Sequence, residues 1–109
     1  MQAALAADPF SPPGLAELQA RYGLDEEVIG ALVEAGRLVR LSHDVLFLPE
    51  AYHQAVATVT EIIRREGKIT VAQVRDALNT SRKYALALME YLDAQRITRR
   101  IGDERVLAR

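Results

Sequence analysis

The sequence predicts a mainly helical α+β chain in which one small plan of helix, turn, helix and β-hairpin occurs twice. Three observations carry this. Apolar residues recur at helical spacing in five stretches, and short alternating stretches flank tight-turn residues in two others. Matching residues repeat at an offset of 59: Ser11 with Thr70, Leu15 with Val74, Leu38 with Ile97, Leu48 with Leu107. Half of the 109 residues are hydrophobic, enough to build a core in each copy.

Residues 1–7 are Ala-rich and fit a short helix, which Asp8-Pro9-Phe10 interrupts. Ser11 followed by Pro12 and Pro13 reads as a cap with proline in the first helical turn. Leu15, Leu18 and Tyr22 form the apolar side of that helix, and Gly23 ends it. Asp25 caps the next helix, Glu26 and Glu27 suit its positive end, and Leu24 is placed to staple onto Ile29. Val28, Ile29, Leu32 and Val33 make its buried face, and Gly36 closes it. Residues 37–41 and 45–48 are strands joined by the turn Ser42-His43-Asp44.

Pro49-Glu50 opens a long helix with Tyr52, Ala55, Val56, Val59, Ile62 and Ile63 inward, ending at Gly67. Thr70 caps a short helix through Val74, Ala77 and Leu78. Thr80 or Ser81 starts a further helix whose buried face is Ala85, Leu88, Met89 and Leu92. Residues 97–101 and 104–108 form a second hairpin around Gly102-Asp103. In the hairpin's first strand the alternation puts Ile97, Arg99 and Ile101 on one face, with Thr98 and Arg100 on the other. Arg99 then lies against the body or pairs with an acid, while Arg100 and Arg105 are freer to reach a ligand.

This plan is a helix-turn-helix with a β-hairpin wing, so the chain reads as two tandem winged-helix domains, 1–49 and 50–109. The first copy lacks a leading helix unless residues 1–7 supply a stub, which predicts a piece cut from a longer chain.

The copies differ in charge. Residues 1–49 hold three cations and seven acids, a balance of −4; residues 50–109 hold eleven cations and eight acids, a balance of +3. The contrast is sharpest where each second helix begins: Asp25-Glu26-Glu27 in one, Ser81-Arg82-Lys83-Tyr84 in the other. A helix N-terminus prefers anions by about 0.3–1 kcal/mol, so Arg82 and Lys83 are misplaced unless an external anion such as phosphate meets them. Two solvated cations tolerating a poor position would give the same residues. The wings differ in the same sense, Arg37 and Arg40 against Arg96, Arg99, Arg100 and Arg105. Such a surface holds a nucleic-acid backbone, and Tyr84 is placed to stack on an exposed base or to pack on its own helix. Arg64, Arg65 and Lys68 cluster at the end of the long helix, where the dipole alone favours cations.

Other chemistries find no support. There are no cysteines, and His43 and His53 stand outside any metal-ligand spacing. No phosphate loop, dinucleotide motif or nucleophile–base set is present, so no catalytic residue, cofactor or metal is assigned. No apolar run approaches the roughly 20 residues of a membrane span, and no signal peptide is visible, so the expected location is the cytoplasm.

The segments Thr80-Ser81-Arg82-Lys83-Tyr84-Ala85, Leu88 to Asp93 and Thr98 to Leu107, with Ile69 to Leu78 before them, closely resemble the last winged-helix domain of the bacterial selenocysteine-specific elongation factor. Residues 10–49 resemble the penultimate winged helix of that family more loosely. The resemblance implies a piece of a translational GTPase that carries selenocysteinyl-tRNA to the ribosome. Its last winged helix grips an mRNA hairpin, the selenocysteine insertion element, beside a UGA codon, and earlier winged helices act as spacers and relays. It also implies an RNA surface of Ser81, Arg82, Lys83, Tyr84, Arg99, Arg100 and Arg105, with Arg64, Arg65 and Lys68 beside it. The GTPase, and with it GTP and tRNA binding, lies outside this chain, which is expected to be a monomer with no membrane partner.

Two other uses of the scaffold stay open: a DNA-binding regulator and a protein-interaction module. The first requires base-reading side chains along the helix from Ser81, whose middle is Ala85-Leu86-Ala87-Leu88-Met89. The second would use the acidic first copy.

Overall fold

A computed structural model describes Leu5 and residues 7–108. The described elements are helices α1 (Leu15–Tyr22), α2 (Glu26–Glu34), α3 (Pro49–Glu66), α4 (Val71–Leu78) and α5 (Arg82–Ala94), and strands β1 (Val39–Arg40), β2 (Leu46–Phe47), β3 (Ile69–Thr70), β4 (Thr98–Ile101) and β5 (Glu104–Leu107). The chain divides into two compact units, Met1–Tyr52 and His53–Arg109, with the division inside α3. The mainly helical α+β class is as expected. Most of the expected helix over residues 1–7 falls outside the described residues; Leu5 and Ala7 are helical, and Leu5 is buried.

In the first unit Leu5, Leu15, Leu18, Ile29, Leu38 and Leu46 form one apolar cluster, with Leu24, Leu32, Val33 and Leu48 packed against it. Leu24, expected to staple onto Ile29, packs against the cluster that contains Ile29. Asp25 caps α2 by accepting from the Val28 amide at 2.8 Å. The start of α1 differs from the expectation of a Ser11 cap. The helix begins at Leu15 with Gly14 in the N-cap position, and the side chain of Asp44, from the turn of the hairpin, accepts from the Leu15 amide at 2.9 Å. A distant carboxylate thus does the work sought in a neighbouring hydroxyl. A Cβ on Gly14 would stand 2.9 Å from that carboxylate, so glycine is needed for the close approach. Tyr22 and Val28, expected on buried faces, are 40% and 42% exposed. Short helices bury a narrow stripe, and both residues fall at its edge. β1 and β2 pair antiparallel, Val39 opposite Phe47 and Arg40 opposite Leu46.

In the second unit β3, β5 and β4 form an antiparallel sheet in that spatial order. The β3 strand goes beyond the sequence expectation of a cap at Thr70. It serves both ends, pairing with Glu104 on β5 while closing a capping box with Gln73 on α4. Ala55, Val59 and Ile63 of α3, Val74 and Leu78 of α4, and Ala85, Leu88, Met89 and Leu92 of α5 are buried, as their spacing predicts. At about 25 cal/mol per Å² of apolar surface, burial of this kind is the main favourable term for so small a unit. Asn79 closes α4 in the left-handed conformation, the other residue besides glycine that tolerates it well.

Candidate nucleic-acid interface

The wing of the second unit sets the geometry. β4 and β5 pair with Thr98 opposite Leu107, Arg99 opposite Val106, Arg100 opposite Arg105 and Ile101 opposite Glu104. Gly102 supplies the positive φ of 61° that the tight turn demands. The register puts two guanidinium groups directly across from one another, an arrangement that repels. The structure separates them. Arg105 turns inward, where its Nε donates to Asp93 Oδ2 at 3.2 Å, while Arg100 stays exposed and its Nε donates to the Gly102 carbonyl at 2.9 Å.

This reverses the sequence-based view of the wing's faces. Thr98, not Ile97 or Ile101, is the buried residue of β4, and Ile101 is 51% exposed. Arg99, expected against the body, is exposed; Arg105, expected to be free, is 2% exposed. The cause is Asp93 at the end of α5. Its Oδ1 accepts from Thr98 Oγ1 at 2.6 Å while its Oδ2 accepts from Arg105. Two satisfied polar pairs on one carboxylate outweigh the preference for burying isoleucine, because a buried ion left unpaired is far costlier than an exposed aliphatic side chain.

Three adjoining grooves cross this unit. One, of about 340 Å³, is lined by Thr70, Val71, Ala72, Arg82, Leu86, Arg100, Asp103 and Arg105. A second, of about 440 Å³, takes Asp93, Arg96, Thr98, Arg99, Arg100 and Ala108. A third, of about 460 Å³, takes Thr60, Arg64, Gln95, Arg96, Ile97 and Leu107. Arg100 belongs to the first two and Arg96 to the last two, so the grooves link Arg82, Arg100, Arg99, Arg96 and Arg64. Arg96, outside the set the family resemblance implies, is one of the wing cations in the sequence, and its backbone is left-handed with φ of 61°.

The remaining expected residues sit around these grooves. Ser81 holds the N-cap position of α5 with extended backbone, and its side chain makes no capping hydrogen bond. Arg82 and Lys83 are exposed in the first turn; the Lys83 ammonium lies 5.5 Å from the centroid of the half-buried Tyr84 ring. Arg65 pairs with Glu66 at 3.3 Å, and Lys68 with Glu104 at 2.8 Å. The hydrogen bond and charge of Glu104 hold the Lys68 ammonium above its ordinary pKa. Neither Arg65 nor Lys68 lines the grooves.

In the first unit one of the two wing cations, Arg40, is tied to Glu26 Oε1 at 2.7 Å and to the His43 carbonyl at 2.9 Å, while Arg37 is exposed. Among the described residues no group of His, Asp or Glu is arranged to hold a metal ion, and no helix is long and apolar enough to cross a membrane.

Comparison with known proteins agrees with this architecture. Residues 61–107 match the family described as "Elongation factor SelB, winged helix". The chain is 34% identical over 88 residues to the selenocysteine-specific elongation factor of Haemophilus influenzae, covering 77% of this chain and 14% of that protein. It is 31% identical over 74 residues to that of Desulfomicrobium baculatum, covering 68% and 12%. The chain thus spans about a seventh of the relatives it matches. Among solved structures, the mRNA-binding domain of elongation factor SelB from E. coli, in complex with SECIS RNA, superposes with a TM-score of 0.82 at 23% identity. That match covers 97% of this chain and 91% of the other, and at this identity it establishes the fold.

Proposed function

Because this chain belongs to the winged-helix part of the selenocysteine-specific elongation factor family, we propose that residues 50–109 bind an mRNA stem-loop and so tether the factor where UGA is read as selenocysteine. The observation that carries the reading is the linked set of arginines, Arg82, Arg100, Arg99, Arg96 and Arg64, along grooves that run from the first turn of α5 past the wing to the C-terminal end of that helix. Guanidinium groups arrayed in this way suit successive phosphates, which supply most of the affinity of such contacts and little of their specificity. Ser81, Lys83 and Tyr84 extend the surface at one end, with Tyr84 placed to meet an unpaired base. Arg105 contributes from the floor. Arg65 and Lys68 are peripheral, since each already faces a carboxylate.

Residues 1–49 act as an acidic spacer that keeps RNA on the second domain. The reading assigns this chain no catalysis; GTP, the ribosome and selenocysteinyl-tRNA are met through other parts of a longer, cytoplasmic factor. Helix reading of a DNA groove fits less well, because the middle of α5, Ala85 and Ala87 to Met89, is buried.

Fluorescence titration with a selenocysteine insertion hairpin and with duplex DNA of equal length tests this. Tight, salt-sensitive hairpin binding is expected, weakened by Arg82→Ala and not by Glu26→Lys. Equal affinity for the duplex, or equal effects of the two substitutions, would overturn it.

A further inference from the structure

We propose that the outward face of α2, formed by Glu27, Gly30, Ala31 and Glu34 with Val28 at its edge, docks a lysine- and arginine-rich helix of another protein. The inference gives the acidic first unit a partner of its own and does not depend on what the second unit binds.

The spacing i, i+3, i+4, i+7 lines up Glu27, Gly30, Ala31 and Glu34 as one stripe along about 10 Å of helix, and all four are exposed. Ile29, 0% exposed, holds the other side of α2 in the core with Leu32 and Val33 beside it, so the stripe cannot turn inward. Val28 is 42% exposed and adds an apolar edge.

The glycine is not demanded by the fold. Gly30 lies inside the helix without the positive φ of Gly23 or Gly36, and a Cβ there would meet no described atom within 4 Å. Glycine weakens a helix interior relative to alanine, because it loses more backbone freedom on folding and packs against nothing. On an exposed face, bare backbone beside Ala31 suits the approach of a second helix axis to about 8 Å, the short end of the packing range.

Charge decides which helix. Glu26 is paired with Arg40, but Glu27 and Glu34 form no ion pair among the described residues. In the second unit the first turn of the matching helix carries Arg82 and Lys83, so a polyanion is drawn to α5 and repelled by α2. A basic helix has the reverse preference. Two copies of α2 repel each other for the same reason, which argues against a second copy as the occupant. Arg37 is exposed just past the end of α2 and opposes a cation there, so the partner's charges are expected toward Glu27.

A helical peptide about five turns long, with alanine and leucine on one face and lysine on the other, tests the proposal on the whole chain. Its glutamate counterpart is the control. In NMR titration the lysine peptide should shift the amides of Glu27, Val28, Gly30 and Ala31, and the glutamate peptide should not. Gly30→Leu should lower affinity about tenfold while the melting temperature holds or rises, since the new side chain enters open space on a helix it strengthens. Glu27→Gln with Glu34→Gln should also lower affinity and flatten its salt dependence. Binding untouched by Gly30→Leu would reduce the contact to diffuse charge attraction and overturn the proposal, as would no binding of the lysine peptide. A lower melting temperature in Gly30→Leu would assign the glycine to the fold instead. Shifts of the α2 amides on self-association or on adding a nucleic acid would give the face to a different occupant and equally overturn it.

Discussion

Asp93→Ala should destabilise the second unit far more than its half-buried position suggests. The carboxylate holds two groups, Thr98 Oγ1 at 2.6 Å and Arg105 Nε at 3.2 Å. The arginine side chain is 3% exposed and that of Asp93 24%. Removing one partner of a buried ion pair typically costs about 3–5 kcal/mol, because the other charge stays behind in low dielectric. Partial access of water to Asp93 places the expected loss toward the lower end, about 3 kcal/mol. A unit of this size has a total stability of only a few kcal/mol, so the variant should be close to its folding threshold. Amide hydrogen exchange of the β4 and β5 ladder, read residue by residue, isolates this unit from the first. The double variant Asp93→Ala with Arg105→Met should recover most of the loss, since an apolar side chain of similar length leaves no uncompensated charge. A single-variant loss below about 1 kcal/mol, or strict additivity in the pair, would show that the Asp93–Arg105 contact is not what orients the wing.

Other consequences are equally direct. Arg82→Ala and Lys83→Ala should weaken hairpin binding with melting temperatures nearly unchanged. In titrations at several ionic strengths the salt slope should shrink by about 1 for every phosphate that no longer meets a cation. Gly14→Ala should cost about 1 kcal/mol in urea denaturation, because the new methyl group displaces the Asp44 carboxylate that caps α1. Lys68 should titrate above free lysine when followed by side-chain NMR, and the difference should disappear in Glu104→Gln. With the folded pKa raised, the contribution of this exposed pair is fully present below the ordinary lysine pKa. It is lost only as pH rises through the raised value, so stability near neutral pH should not vary with the titration of Lys68.

The sequence alone determined a great deal about this chain. Helical periodicity placed Ala85, Leu88, Met89 and Leu92 in the interior, and glycine placed the ends of helices at Gly23, Gly36 and Gly67; these are local effects of side-chain spacing and backbone freedom. The charge contrast between Glu26-Glu27 and Arg82-Lys83 was legible for the same reason, since all four residues sit in first turns and are exposed there. Tertiary structure decided what depends on partners far apart in the chain. Nothing local in Ser42-His43-Asp44 says that Asp44 caps α1, and the alternation of β4 cannot reveal that Asp93 draws Thr98 and Arg105 inward. A strand has two faces of equal standing until something packs on one of them. Here a single carboxylate at the end of α5 chose, and its choice separated a buried arginine from the exposed ones around it.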